Sequence, residues 1–151
     1  MAGSWSEDVE FMDALTETVL YSISAFPRKL VHTDELVHKH ELPFAQIQLL
    51  SLLSVQDMSV GEAARTLNVA KTNLALLVRE LTRKGYLERI PDTTDKRKAS
   101  LHLTEDGHAK YVEIKCSVID QMKKLAGEFN RSEMNELMKA INQVNHVLYQ
   151  I

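Results

Sequence analysis

The chain has 151 residues, of which 44% are hydrophobic and 26% charged, enough for one buried core with extensions. Its single cysteine, Cys116, excludes an internal disulfide and favours a reducing compartment. The acidic amino terminus lacks the apolar stretch of a secretory signal. No apolar run approaches the roughly 18 residues of a membrane-spanning helix. We therefore expect a cytoplasmic protein.

The net charge of −3 is unevenly distributed along the chain. Residues 1–68 carry 4 Lys/Arg and 10 Asp/Glu, a net charge of −6, whereas residues 69–98 carry 8 and 4, a net charge of +4. Residues 99–151 carry 6 and 7 and are nearly neutral. Local charge decides where a polyanion docks, so the middle segment is the candidate for contact with a nucleic acid.

The first part of the chain predicts helices. From Ser6 to about Phe26, apolar residues recur at every fourth position, which is a helical stripe. Pro27 is expected to kink this helix or to begin a second one that ends near His38. Another helix is predicted to start at Pro43, because proline suits the first turn.

The next segment predicts a helix-turn-helix. Ser59 followed by Glu62 is a capping-box pattern for a short helix, and Asn68 with Val69 makes the turn. A second helix follows and ends at Gly85, a residue typical of helix carboxyl ends. Its inward face is formed by Leu74, Leu77, Val78 and Leu81.

Two short strands, "YLERI" and "ASLHL", flank a polar loop and predict a β-hairpin. Thr104 is expected to cap a helix that runs to about Gly127, and Asn130 with Glu133 to open the last one. Both helices carry apolar stripes. Cys116 shares the first stripe with Val112, Ile119 and Met122, so we expect a buried packing thiol. The second stripe runs from Met134 to Ile151.

The outward face of the second helix of the helix-turn-helix is polar and basic. A recognition helix places its amino-terminal residues on base edges, which suits Thr72 and Asn73, while Leu76 can touch a thymine methyl. Arg79 and Arg83 lie nearer to phosphates. Lys71 completes the candidate set. The alternative is an ordinary amphipathic surface helix.

The hairpin loop adds Lys96, Arg97 and Lys98 to the candidate DNA-binding residues. A basic loop beside a recognition helix is placed to reach the adjacent minor groove. Asp92 and Asp95 are expected to bond backbone amides and to fix the shape of the turn. The alternative is a solvated, charged hairpin.

The segments "GEAARTLNVAKTNLALLVRELTRKGYLER" and "DTTDKRKASLHLTEDG" resemble the helix-turn-helix and wing of the MarR family of bacterial transcription regulators. Thr94 stands where the family often has arginine, Leu76 where a basic or polar residue is frequent, and Ala70 where a capping serine is common. The resemblance implies a mainly α fold with a small β-hairpin wing. It also implies a single domain, 1–151, with a winged-helix lobe at about 42–103 and dimerisation helices at about 6–38 and 104–151.

The resemblance further implies a homodimer that reads a pseudo-palindromic operator, with half-sites about 34 Å apart. The function it implies is that of a sequence-specific DNA-binding regulator, a repressor released by a small molecule. Small aromatic or phenolic effectors would bind near Tyr21, Arg28 and His32.

Other functions are less well supported by the sequence. No phosphate loop, nucleophile elbow or catalytic carboxylate pair is recognisable, so we expect no enzyme and no cofactor. His38, His40, Glu41 and His108 lack a metal-binding spacing, so we expect no metal. The main alternative is a winged-helix module that binds proteins and not DNA.

Overall fold

A computed structural model describes the backbone of residues 9–91 and 99–148, and the side chains within these ranges except those of residues 22–29. The described elements are α1 (Val9–Leu30), α2 (Thr33–His40), α3 (Phe44–Leu53), β1 (Met58–Ser59), α4 (Val60–Thr66), α5 (Lys71–Arg83), β2 (Leu87–Pro91), β3 (Ala99–Leu103), α6 (Glu105–Ala126) and α7 (Arg131–Leu148). This mainly helical architecture with a small sheet confirms the expected fold class. None of the described helices is long and apolar enough to cross a membrane.

The chain forms two compact units. One is Thr33–Val118, which contains the helix-turn-helix and the sheet. The other consists of the described parts of Met1–His32 and Ile119–Ile151, and it contains α1 and α7.

Leucine side chains form most of the core of the unit Thr33–Val118. Those that are almost fully buried are Leu36, Leu42, Leu49, Leu50, Leu74, Leu81, Leu87 and Leu101. They come from three helices, two strands and the segment before α3, and each contributes roughly 1.5–3 kcal/mol by leaving water. The core therefore joins α5 to both α3 and the sheet.

Hydrogen bonds at the start of α4 confirm the predicted capping box. The Ser59 hydroxyl accepts from the Glu62 backbone N–H at 3.2 Å, and the Glu62 carboxylate accepts from the Ser59 backbone N–H at 2.8 Å. Because that N–H stabilises the ionised carboxylate, the pKa of Glu62 is lowered. At the other end of α4, Asn68 adopts a φ of 51°, a left-handed conformation that asparagine tolerates. The predicted turn is confirmed there.

The carboxyl end of α5 is closed by a Schellman motif. The Tyr86 backbone N–H donates to the Leu81 carbonyl and the Gly85 N–H to the Thr82 carbonyl, each at 3.0 Å. Gly85 has a φ of 79°, which side chains disfavour. The prediction that Gly85 ends this helix is confirmed.

The sheet has the order β1-β3-β2 and is antiparallel throughout. The hairpin predicted for β2 and β3 is confirmed, with pairs from Leu87↔Leu103 to Pro91↔Ala99. Strand β1 was not predicted, because its two residues are too few for an alternating pattern. Asp57, just before β1, accepts from His102 of β3 at 2.9 Å between Oδ2 and Nδ1. This contact ties the hairpin to the segment that precedes α4.

The first turn of α6 is joined to the chain that leaves α5. Thr104 caps α6 as predicted, since its hydroxyl accepts from the Gly107 N–H at 3.0 Å. The same hydroxyl donates to the Gly85 carbonyl at 2.5 Å, and the Thr104 N–H donates to the Tyr86 carbonyl at 3.2 Å. Gly107 is buried at this junction.

Of the two outcomes expected at Pro27, a kink or the start of a new helix, the second is wrong. Helix α1 continues through it to Leu30, and α2 begins at Thr33. Proline removes one backbone donor, but the remaining hydrogen bonds of a long helix persist on either side of it. At Pro43 the prediction holds, because this residue is the N-cap of α3.

The expectation that Cys116 is buried is also wrong. Cys116 is exposed, together with Val112 and Ile119 of the same stripe, whereas α6 buries Ile114, Ser117 and Gln121. The apolar composition of this α6 stripe predicts that burying it is favourable. It does not predict whether other elements of the same chain bury it.

Much of the apolar surface of the terminal helices is exposed in a single chain. On α1 the exposed apolar residues include Phe11, Leu15 and Val19. On α7 no described residue is buried, and Met138, Val144 and Leu148 are each more than half exposed. Ser6 and Ile151, the predicted limits of these stripes, lie outside the described residues.

Candidate nucleic-acid interface

The six residues predicted on the outer face of α5 are all exposed. They are Lys71, Thr72, Asn73, Leu76, Arg79 and Arg83. The inner face of the same helix buries Leu74, Val78 and Leu81 almost completely, and Leu77 partly. Ala70, at the N-cap, makes no side-chain hydrogen bond to the first turn. The sequence pattern therefore identified correctly which face of α5 is available to a partner.

A concave surface of about 680 Å³ lies between α5 and β2. Its lining residues are Thr72, Ala75, Leu76, Val78, Arg79, Thr82 and Arg89. The structure thus brings three of the predicted residues together here and adds Arg89, which sequence reasoning missed. The alternation of side chains along β2 is the sequence signal that could have predicted it. Arg89 follows the buried Leu87 by two residues and therefore lies on the same face of the strand.

The chemistry of this surface suits an anion. Two guanidinium groups, Arg79 and Arg89, and two hydroxyl groups, Thr72 and Thr82, supply hydrogen-bond donors, and the described lining includes no carboxylate. Guanidinium groups match phosphate geometry in a way that lysine does not.

A second concavity of about 430 Å³ beside the base of the hairpin differs in charge, since its lining includes Asp57 and Glu62. Its exposed apolar lining residues are Ile90 and Pro91. The two concave surfaces therefore differ in the charge of their linings.

The predicted wing residues Asp92, Asp95, Lys96, Arg97 and Lys98 lie outside the described residues. The structure describes the base from which this loop leaves, where Pro91 of β2 pairs with Ala99 of β3. The roles assigned to these five residues stay predictions.

The residues predicted to contact an effector are described only in part, and their role stays a prediction. Tyr21 and His32 are exposed, and the side chain of Arg28 lies outside the described residues. The His32 backbone N–H donates to Gln121 Oε1 at 3.0 Å, which fixes the chain between α1 and α2. Neither concave surface described above is lined by Tyr21 or His32.

His40 makes a side-chain contact within the unit Thr33–Val118. It is buried, with Nε2 at 3.0 Å from the Ser117 hydroxyl. Burial lowers the pKa of His40, and the positive charges of Lys110 and Lys39 lower it further, against the opposing charge of Glu113. Among the described residues, no three His, Cys, Asp or Glu side chains are grouped to hold a metal ion.

Comparison with known proteins gives a consistent result. Residues 40–98 match the model of the MarR family. The transcriptional activatory protein BadR of Rhodopseudomonas palustris is 30% identical over 93 residues, which cover 61% of this chain and 47% of BadR. The chain therefore spans about half the length of this relative.

Two solved structures show that the fold is shared. Wild-type apo MarR from E. coli superposes with a TM-score of 0.70 at 23% identity, covering 86% of this chain and 95% of MarR. NadR in complex with 4-hydroxyphenylacetate superposes with a TM-score of 0.70 at 18% identity, covering 83% of this chain and 89% of NadR.

MarR-family proteins are transcription regulators and not enzymes, which agrees with the sequence. The family match covers the helix-turn-helix and the start of the wing, and the likeness of fold extends over most of the chain. On both grounds this protein is similar to the MarR family, in sequence over residues 40–98 and in fold over most of its length.

Proposed function

We propose that this protein is a dimeric regulator that binds a pseudo-palindromic DNA operator through α5 and the hairpin. The observation that carries the proposal is the concave surface beside α5, where Arg79 and Arg89 stand with two threonine hydroxyls and no described carboxylate. Phosphate contacts supply much of the affinity for DNA and position the protein on the duplex. A surface of this composition offers such contacts.

The exposed residues of α5 would contact different parts of the DNA, some of them bases and the others phosphates. Thr72 and Asn73 are in its first turn, where a recognition helix meets base edges, and asparagine suits adenine. Leu76, 45% exposed, would touch a thymine methyl. Arg83, near the other end of the helix, and Lys71, at its start, would contact phosphates together with the two arginines of the concave surface.

The hairpin loop would supply a second contact with the same half-site. Arg97 would enter the minor groove, with Lys96 and Lys98 on the flanking phosphates. Asp92 and Asp95 would hold the loop through its backbone amides.

Dimerisation would bring two such lobes to one operator. The exposed apolar residues of α1 and α7 favour association, because burying apolar surface contributes about 25 cal/mol per Å². Two recognition helices on one face of the duplex meet half-sites about 34 Å apart.

A small aromatic or phenolic anion is the proposed effector, with Tyr21, Arg28 and His32 as its contacts. The phenolic ligand in the NadR structure supports this class of molecule. On a template whose operator overlaps the promoter, we expect the bound dimer to repress transcription and the effector to restore it. Transcription of that template in vitro, with and without the ligand, measures both effects.

The test of DNA binding begins with an operator selected from random DNA by the purified protein. Arg79→Ala and Arg89→Ala should weaken binding to operator and random duplexes alike. Each lost phosphate contact should reduce the slope of log affinity against log salt by about 0.9. Lys115→Ala removes the same charge from an exposed position on α6 and serves as the matched control.

The wing and base contacts have different expected signatures. Arg97→Ala should cost ~1–3 kcal/mol per half-site, most on operators with A·T-rich flanks, where the groove is narrow. Thr72→Ala and Asn73→Ala should instead relax base preference with little change in salt slope. If the arginine variants bind both duplexes as the wild type does, neither the concave surface nor the hairpin contacts DNA. If the purified protein selects no operator at all, a protein-binding winged helix takes the place of the DNA-binding function.

A further inference from the structure

Gln46 is a buried polar side chain that joins α3 to α5. It is 1% exposed, although it lies on a helix whose other buried residues are all apolar. Its amide nitrogen donates to Glu80 Oε2 at 2.5 Å, and its amide oxygen accepts from Lys84 Nζ at 3.1 Å. One side chain therefore bonds to Glu80 of α5 and to Lys84, the residue that caps the carboxyl end of that helix one turn further on.

These hydrogen bonds constrain α5 in a way that its apolar contacts do not. Leu74, Val78 and Leu81 bury the inner face, but hydrophobic attraction has no preferred direction. Hydrogen bonds weaken steeply as their angle departs from linear, and a buried amide needs partners for both its donor and its acceptor. Glu80 and Lys84 satisfy both groups at one rotation of α5 about its axis.

The rotation of α5 matters because its outer residues would read base edges. Glu80 follows Leu76 by four residues, so the two side chains are neighbours on the surface of α5. The hydrogen bond from Gln46 to Glu80 therefore holds α5 close to a residue proposed to touch a base. An α-helix with side chains is about 10–12 Å wide, so turning it by about 10° moves the tips of its side chains by about 1 Å. Recognition geometry tolerates about 0.5 Å.

We propose that Gln46 is a positioning residue that fixes the rotation of α5 and thereby sets how well the protein distinguishes its operator from other DNA. The proposal rests on the DNA-binding function proposed above. Gln46 is buried and acts through Glu80 and Lys84, without touching DNA itself.

The test changes the hydrogen-bonding groups at positions 46 and 80. Gln46→Glu sets a carboxylate against that of Glu80 and should lower operator affinity by about tenfold, the scale of one mismatched base pair. Affinity for a random duplex should change little. Adding Glu80→Gln should return operator affinity to within about threefold of the wild type, because the carboxylate at position 46 then accepts from the amide at position 80 and from Lys84. Gln48→Glu is the matched control, since Gln48 is exposed on the same helix.

Two further measurements separate positioning from folding. Gln46→Leu removes both hydrogen bonds and keeps an apolar group of similar size, so thermal unfolding should show a folded protein, while discrimination falls as in Gln46→Glu. Residual dipolar couplings of α5 amides in the DNA-free protein should also change in Gln46→Leu.

The outcomes are distinguishable. If the wild type does not prefer its selected operator to random DNA, the proposed function fails, and the dipolar couplings alone decide whether Gln46 orients α5. If the wild type prefers its operator to random DNA and both Gln46 variants prefer it as strongly as the wild type does, positioning by Gln46 is overturned. It is also overturned if the double variant binds the operator no better than Gln46→Glu. Unchanged couplings in Gln46→Leu overturn it as well.

Discussion

Replacing Gly107 with alanine should destabilise the fold, although alanine is the better helix residue. A methyl group at this position would overlap the Tyr86 carbonyl oxygen and would lie 2.9 Å from the carbonyl carbon and 3.3 Å from the Tyr86 Cα. Carbon atoms prefer separations of about 3.5–4.0 Å. All three obstructing atoms belong to the backbone, so no side chain can rotate away.

The Tyr86 backbone has little freedom to move. Its carbonyl accepts from the Thr104 N–H, and its own N–H closes the Schellman motif on Leu81. Overpacking of this kind costs about 1–3 kcal/mol, against a gain of about 0.5–1 kcal/mol from replacing glycine in a helix. We expect a net loss of about 1–2 kcal/mol, or a Tm lower by about 2–8 °C for a chain of this size.

Gly61→Ala is the matched control for this experiment. A methyl group there would meet its nearest atoms, Lys71 Cε and Ser59 Oγ, at 3.9 and 4.0 Å, which is ordinary contact. Its Tm should rise by about 1–4 °C, from the helix gain alone. Differential scanning calorimetry of both variants at one protein concentration decides the matter. A Gly107→Ala protein as stable as Gly61→Ala would refute the close approach of α6 to Tyr86.

Three further changes test other parts of the structure. Ser59→Ala should cost about 1 kcal/mol in chemical unfolding, because it removes half of the capping box. Ile141→Asp on α7 should raise the dimer dissociation constant at least tenfold in sedimentation, about the cost of exposing one isoleucine per subunit. His40→Gln should reduce the loss of stability seen on acidification from about pH 7 to 5. The lowered pKa of His40 means that the unfolded chain takes up the proton first, so this contribution is present above its unfolded pKa and is lost as the pH falls through the folded value.

Features that depend on neighbouring residues were predictable from the sequence. The Ser59 capping box, the turn at Asn68 and the helix end at Gly85 each depend on residues a few positions apart. The faces of α5 were also predictable, because helical periodicity decides which side chains point the same way.

Features that depend on distant segments were not predictable in this way. The exposure of Cys116 depends on which elements cover α6, and the pairing of β1 with β3 joins residues about 40 positions apart. Arg89 joined the candidate interface because β2 lies beside α5, and the partners of Gln46 lie 34 and 38 residues away. An apolar stripe or a motif predicts which residue types lie on one face of a helix or strand. It does not predict which other element packs against that face.

The strand order β1-β3-β2 also bears on how the protein behaves when it is concentrated. The central strand is paired on both sides, and β1 is too short, at two residues, to template another strand. The remaining edge is β2, where Glu88 and Arg89 are charged and Pro91 has no N–H to offer. An incoming chain would have to desolvate those charges for an incomplete ladder of hydrogen bonds. The described edges of this sheet are thus protected against edge-to-edge aggregation.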